Sequence, residues 1–235
     1  MKKSKRYLEQ IKKIEDKLYP VKDSINLIKD IASAKFDESV EIHLVTSADP
    51  KNAEEQIRTV ADLPHGTGKE TKVLVFAEGD AAATAKESGA DYISDDEIVK
   101  KIEDGWLDFD VAIATPDQMS KIGKLGKYLG RKGLMPNPKT GTVVQPQNIA
   151  QSIEASRKGR TEIKLDSASV IHFNVGKSSF SDDQLFENLK SVVKTIYDSK
   201  PEGLKGKLVK KASISTTMGP GIQLDIEDLE SSIYN

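Results

Sequence analysis

The chain contains no cysteine. Disulfides, thiolate metal sites and cysteine nucleophiles are thereby excluded, and the composition suits a reducing compartment. Aromatic residues are scarce, at 6%, which argues against the stacking platform that single-strand binders build. No window approaches the roughly 18 apolar residues of a membrane span. The N-terminal MKKSKRYLEQIKKIEDKL is basic, but no apolar stretch follows it, so no secretory signal is expected. A soluble, cytoplasmic chain with no membrane association is the expectation. Histidines number three, and His43, His65 and His172 have no histidine or carboxylate partner at metal-site spacing along the chain. His43 stands beside Glu41, a pairing more often seen in surface contacts. No serine lies in a G-x-S-x-G turn. No G-x-G-x-x-G follows the apolar runs at Val75 or Ile113. VGKSS (175–179) resembles the tail of a phosphate-binding loop, but Ile171 stands where the motif needs its first glycine. HGTGKE (65–70) has Glu70 where a hydroxyl would hold magnesium. Neither cofactor, metal nor catalysis is expected.

Charge of one sign is also missing: 35 basic against 37 acidic residues give a net charge of −2 and a pI near 6.0. A strongly basic total would have pointed directly to nucleic acid. The distribution says more. Residues 70–117 hold 13 acidic and 4 basic residues, whereas residues 118–139 hold Lys121, Lys124, Lys127, Arg131, Lys132 and Lys139 and no acid. A polyanion responds to potential over roughly a Debye length of 8 Å, not to the sum over a chain. That basic run is therefore a candidate contact for a polyanion, and a solvated face reads the same way.

The pattern along the chain divides it. Ser4 can cap a helix with Leu8, Ile11, Ile14 and Leu18 on its apolar face. A second helix is expected from Ser24, with Ile25, Ile28 and Ile31 on one side. Val40, Ile42 and Leu44 alternate with polar residues as in a half-buried strand, and a short helix is expected over 53–63. From residue 71 the texture changes to strands and helices in alternation: an apolar strand over 71–77, helices near 80–88 and 95–104, short strands near 91–94 and 110–115, and a closing helix near 147–157. That alternation predicts a small parallel sheet with helices on both faces. Beyond Gly159, TEIKLD and SVIHFNVG read as a hairpin joined at 166–169. Ser181 with Gln184 forms a capping-box signature before a helix bearing Leu185, Leu189, Val192 and Ile196. A strand over 207–217 completes the set. The strand at 40–46 has no partner nearby in sequence and needs the later ones. The fold class expected is α/β and α+β: a two-layer α+β domain from both chain ends, 1–66 and 160–235, and an inserted three-layer, Rossmann-like α/β domain over 67–159.

The last of these strands runs into KASISTTMGPG (211–221). With Leu208, Ala212 and Ile214 inward, Lys211, Ser213, Ser215 and Thr217 share the opposite face. A row of hydroxyls can match phosphates, 2′-hydroxyls and base edges, and Gly219 would let backbone approach a ligand closely. An ordinary solvent-facing strand rich in β-formers gives the same pattern. Phe36, among polar neighbours in AKFDES, reads either as a plug at a helix end or as an exposed ring against a sugar or base.

The motifs AKFDESVEIH, DLPHGTGK, GADYI, DGWLDFDVAIATPDQM, LGRKGLMPNPKTGTV, NVGKSSF, KPEGLKG and ISTTMGPG run through nearly the whole chain in order. Together they resemble the bacterial L-one family of large-subunit ribosomal proteins, found in the mobile stalk beside the tRNA exit site. The resemblance implies two domains, the discontinuous one holding the main site for large-subunit rRNA. It implies translational repression through the protein's own operon mRNA, help in releasing deacylated tRNA, and a monomer when free of the ribosome. Matched residue by residue, the family's RNA contacts fall on Lys35, Phe36, Ser39, Thr217, Met218 and Gly219, with Lys177 and Ser178 on a nearby surface. Many relatives are basic overall, and this chain is not. Where relatives often carry Asp-Lys-x-Gly, it has DSAS (166–169), and for an Arg-Gly pair it has Arg58-Thr59. Two rival readings stand beside the ribosomal one: a nucleotide-using α/β enzyme, and an mRNA-binding regulator that never joins ribosomes.

Overall fold

A computed structural model describes residues 4–234. Residues 1–3 and 235, the outer bounds of the expected outer domain, lie outside the described residues. The chain forms two compact units: unit one up to Gly68 and again from Thr161, and unit two, Lys69–Arg160.

Unit one is built on a four-stranded antiparallel sheet. Its strands are β1 (Ser39–Thr46), β7 (Val170–Lys177), β8 (Val209–Thr216) and β9 (Ile222–Leu224), in the order β7-β1-β8-β9. Ile42 stands between Phe173 on one side and Ile214 on the other. One sheet face buries Val40, Ile42, Leu44, Ile171, Phe173, Val175, Ala212 and Ile214. Against it lie helices α2 (Val21–Ile31), α7 (Asp182–Asp198) and α8 (Ile226–Tyr234), contributing Ile25, Ile28, Leu185, Leu189, Val192, Ile196 and Leu229. Each such side chain removed from water contributes about 1.5–3 kcal/mol. Alternation along β1 leaves Glu41 and His43 on the other face. The capping box of α7 forms, Ser181 accepting from the Gln184 amide while Gln184 returns to the Ser181 amide. Buried Asn188 on the same helix ties down the loop at 65–66. It accepts from His65 N at 3.0 Å and donates to Gly66 O at 3.0 Å and Val175 O at 2.8 Å.

Several local expectations are corrected. Residues 53–63 contain no helix: Arg58–Asp62 is strand β2, which pairs with β6 (Arg160–Lys164). Thr59 and Val60 are β-branched, and a partner distant in sequence decides the state. The hairpin over 161–175 forms its turn but hardly a ladder, because β6 pairs with β2, and Leu165, just past β6, meets β7 in an isolated bridge to Ile171. Helix α1 (Lys5–Lys12) is capped by Ser4 but stops early. Leu8 and Leu18 remain exposed, while Gln10 is the buried residue, donating to Ile31 O at 2.7 Å. Helix α2 begins at Val21 rather than Ser24. In β8 the alternation slips below Lys211: Val209 is buried beside Leu208, because the register with β1 shifts between Val45 and Thr46.

Unit two is the parallel sheet β4-β3-β5, made of β4 (Tyr92–Ile93), β3 (Val73–Phe76) and β5 (Val111–Ala114). Leu74 and Phe76 face α4 (Asp96–Glu103) and α5 (Met119–Lys132), packing with Ile102, Ile122, Leu125 and Leu129. Val73 and Val75 face α3 (Asp80–Glu87) and α6 (Ile149–Arg157), packing with Ala85, Ile149 and Ile153. Both faces are thus covered, which is why these strands read as unbroken apolar runs. The glycine-rich basic segment folds as α5, since Ile122, Leu125 and Leu129 keep a helical stripe beneath its glycines.

The DSAS turn carries strain. Ser169 has φ of 63°, the left-handed region that a side chain disfavours by about 1–2 kcal/mol. Its carbonyl accepts from Thr46 N at 2.8 Å and Thr46 Oγ1 at 3.0 Å, which holds it there. Ser169→Gly should therefore stabilise unit one by about 0.5–1 kcal/mol in urea unfolding, after the extra freedom of glycine in the unfolded chain is subtracted. A loss of stability would show that the turn is unstrained.

Candidate nucleic-acid interface

The start of β1 lies between the ends of β7 and β8, so three distant stretches meet at one end of the sheet. Ser39 is opposite Lys177, and Val40 is opposite Thr216. Ser39 N donates to Thr217 Oγ1 at 3.0 Å, and Thr217 N donates to Ser39 O at 3.0 Å. Lys177 Nζ donates to Ser39 Oγ at 2.9 Å. Phe36 and Met218, 55% and 46% exposed, flank this junction as two of the few large apolar side chains left in solvent. Lys35 is exposed on the same loop.

The junction is held by a group that the sequence did not single out. Glu38 is 1% exposed and takes hydrogen bonds from three backbone amides: Oε1 from Ser33 N at 3.1 Å and Ala34 N at 2.9 Å, Oε2 from Met218 N at 2.9 Å. Burial pushes its carboxyl up, but the amides of Ala34, Met218 and Ser33 outweigh that and hold it below the ordinary glutamate value. Asp37 does the same for the next segment. It accepts from Ser178 Oγ at 2.9 Å, Ser179 N at 3.1 Å and Ser179 Oγ at 2.7 Å. The Ser179 hydroxyl is the main reason its carboxyl lies below the usual aspartate value. No motif signals either residue. Their only mark in the sequence is an acidic pair placed just before a strand, which is common on any surface.

These bonds also answer the VGKSS reading. Ser178 Oγ and both Ser179 donors bond to the Asp37 carboxylate, and Ser178 N donates to Glu38 O at 2.8 Å, so the turn's amides do not form an open phosphate cradle. Gly219 has an internal reason too: a Cβ there would collide with the Thr216 hydroxyl. Gly176 likewise leaves room for the Phe180 ring, which an added Cβ would meet at 2.8 Å.

The remaining candidates lie elsewhere. Lys211, Ser213 and Ser215 extend along the polar face of β8, opposite Val45, His43 and Glu41. The Ser215 hydroxyl is engaged by His43 Nε2 at 3.0 Å. His43 and His172, unrelated by spacing along the chain, are brought side by side by the β1–β7 register. Lys121, Lys124, Lys127, Arg131 and Lys132 line the exposed side of α5 in unit two, with Lys139 exposed in a short turn beyond it. Lys121 is paired with Glu78, and the other five make no ion pair among the described residues. Among the described residues no three His, Asp or Glu side chains converge on a metal position, and no helix is long and apolar enough to cross a membrane.

Unit one thus presents a polar edge held by its own hydrogen bonds, and unit two an exposed cationic helix. The profile of the ribosomal protein L1p/L10e family matches residues 28–220, and the chain belongs to that family, one of ribosomal proteins rather than enzymes. It is 53% identical over 225 residues to the large ribosomal subunit protein uL1 of Dehalococcoides mccartyi strain 195, covering 95% of both chains. It is 51% identical over 231 residues to that of Fervidobacterium nodosum, covering 97% of both. With that of Thermomicrobium roseum it shares 46% over 227 residues, covering 96% of this chain and 94% of the relative.

Glu38→Gln places an amide nitrogen against a backbone donor. It should cost about 1–3 kcal/mol of stability near neutral pH in urea unfolding. The lowered carboxyl stabilises the fold above its ordinary value of 4.5 and loses that effect as pH falls through the lower folded value. The gap between wild type and variant should therefore narrow below pH 4.5, and a gap independent of pH would contradict the clamp.

Proposed function

We propose that this chain, a ribosomal protein by family, is a structural constituent of the large subunit in the cytoplasm that grips large-subunit rRNA of the stalk through the edge of unit one. The observation that carries the reading is the bonded pair Ser39–Thr217 set between exposed Phe36 and Met218. A folded RNA is read by shape and 2′-hydroxyls, and neutral donors and acceptors on a rigid sheet suit that task. Phe36 and Met218 supply apolar area against a sugar or base. Lys35, Lys177, Ser178, Lys211, Ser213, Ser215 and Gly219 complete the surface. This reading accommodates a net charge of −2, because hydrogen bonds and fit supply specificity while few cations are needed. The exposed cations of α5 and Lys139 form a secondary RNA contact, for which exit-site tRNA is a suitable ligand. Unit two swings on the two linkers, near residues 64–68 and Gly159, and so helps deacylated tRNA to leave. The same edge would bind a matching fold in the protein's own operon mRNA and repress its translation.

Binding of the full chain to a stalk rRNA fragment tests the edge. Phe36→Ala, Thr217→Ala and Met218→Asp should each lose about 1–3 kcal/mol. The dependence of affinity on salt should be shallow, because few phosphates are neutralised. Wild-type affinity in all three variants would place the site elsewhere. Co-sedimentation with large subunits separates the ribosomal role from that of a free regulator.

A further inference from the structure

The polar face of the unit-one sheet carries a histidine pair with an unusual proton count. His43 of β1 and His172 of β7 are direct partners in the strand register. Their Nδ1 atoms are 2.8 Å apart, so one proton lies between them and two cannot. His43 Nε2 meets Ser215 Oγ at 3.0 Å, and His172 Nε2 lies 3.5 Å from Asp166 Oδ2. With both rings neutral, the Ser215 hydroxyl donates to His43 Nε2, His43 Nδ1–H donates to His172 Nδ1, and His172 Nε2–H faces Asp166. One added proton is accommodated without breaking the chain. His172 then donates from Nδ1 to His43, and His43 carries its proton on Nε2 and donates to Ser215. A second proton would set N–H against N–H. The pair is thus built to hold a single positive charge.

The charged and polar groups around it come from every neighbouring element. Glu41 lies two residues along β1, Asp166 in the turn before β7, Asn174 on β7, and Ser213 and Lys211 on β8. Burial, then the neighbouring His172, pushes His43 below the usual histidine value, with Glu41 opposing. The neutral form of His43 is thereby favoured in the free protein. Ser215 lies two residues along β8 from Thr217, about 7 Å at strand spacing, so the pair adjoins the proposed edge.

We infer that the His43–His172 pair is a proton-dependent phosphate contact: an RNA backbone phosphate brought along the hydroxyl row draws one proton from solvent onto the pair and is held by the cation so formed. This rests on the RNA reading of the same sheet. The phosphate favours the charged form, so affinity rises as pH falls through the histidine range.

The test measures binding of the full chain to the stalk rRNA fragment at constant salt, near pH 8 and near pH 6. Calorimetry in buffers of different ionisation enthalpy reads the protons taken up. Wild type should bind about three- to tenfold tighter at the lower pH, with net uptake of up to one proton. His43→Gln and His172→Gln should abolish both the uptake and the pH dependence. A wild type that binds equally at both pH values without proton uptake overturns the inference and leaves the RNA reading intact, as does a dependence that survives both substitutions. No binding at either pH overturns the RNA reading and the inference with it. The uptake is read on wild-type protein, so a variant that fails to fold does not decide the matter.

Discussion

One buried carboxylate organises the edge of unit one. Glu38 is almost completely removed from water, and three backbone amides from two segments almost two hundred residues apart in sequence point at it. An ion buried without donors would cost several kcal/mol; surrounded by them it becomes a fixed point. The loop bearing Phe36 and the turn bearing Met218 are both bonded to the same side chain. Ser39 and Thr217 then exchange two hydrogen bonds beside it. The edge is bonded in place by the protein's own groups, so the binding proposed for it would cost little ordering entropy.

The two units handle charge differently, and this follows from their architecture. In unit one the cations near the edge are few, and Lys177 is turned inward onto Ser39. Hydroxyls and amides do the presenting. In unit two the cations stand on the outer side of α5, above a buried apolar stripe, where all but Lys121 make no ion pair among the described residues. A surface that recognises contour and one that attracts a polyanion need different side chains. The near-neutral total conceals this difference between the units.

How much of this was legible depends on distance along the chain. Periodicity, capping and turn chemistry act over a few residues, so the α7 capping box, the hydroxyl face of β8 and the covered strands of unit two could be read directly. β2 could not, because its state is set by β6, a hundred residues away. α1 misled for a related reason: its apolar spacing was real, but Gln10 donates to Ile31 O at the end of α2 and to the Ser33 hydroxyl, and Leu8 is left facing outward. The site divided in the same way. Thr217, Met218 and Phe36 could be picked out by type and by resemblance. Glu38, Asp37 and the histidine pair have meaning only through the β7-β1-β8 register, which no local pattern encodes.

The account stands or falls on whether the edge is preformed. Backbone hydrogen exchange in the free protein measures this at the amides concerned. The amides of Ala34 and Met218 should exchange at least about tenfold more slowly than an unstructured chain, and that protection should vanish together, at both ends of the sequence, when Glu38 becomes alanine. Unprotected exchange at these two amides in the wild-type protein would mean that the edge forms only on its ligand, and the central claim would be wrong.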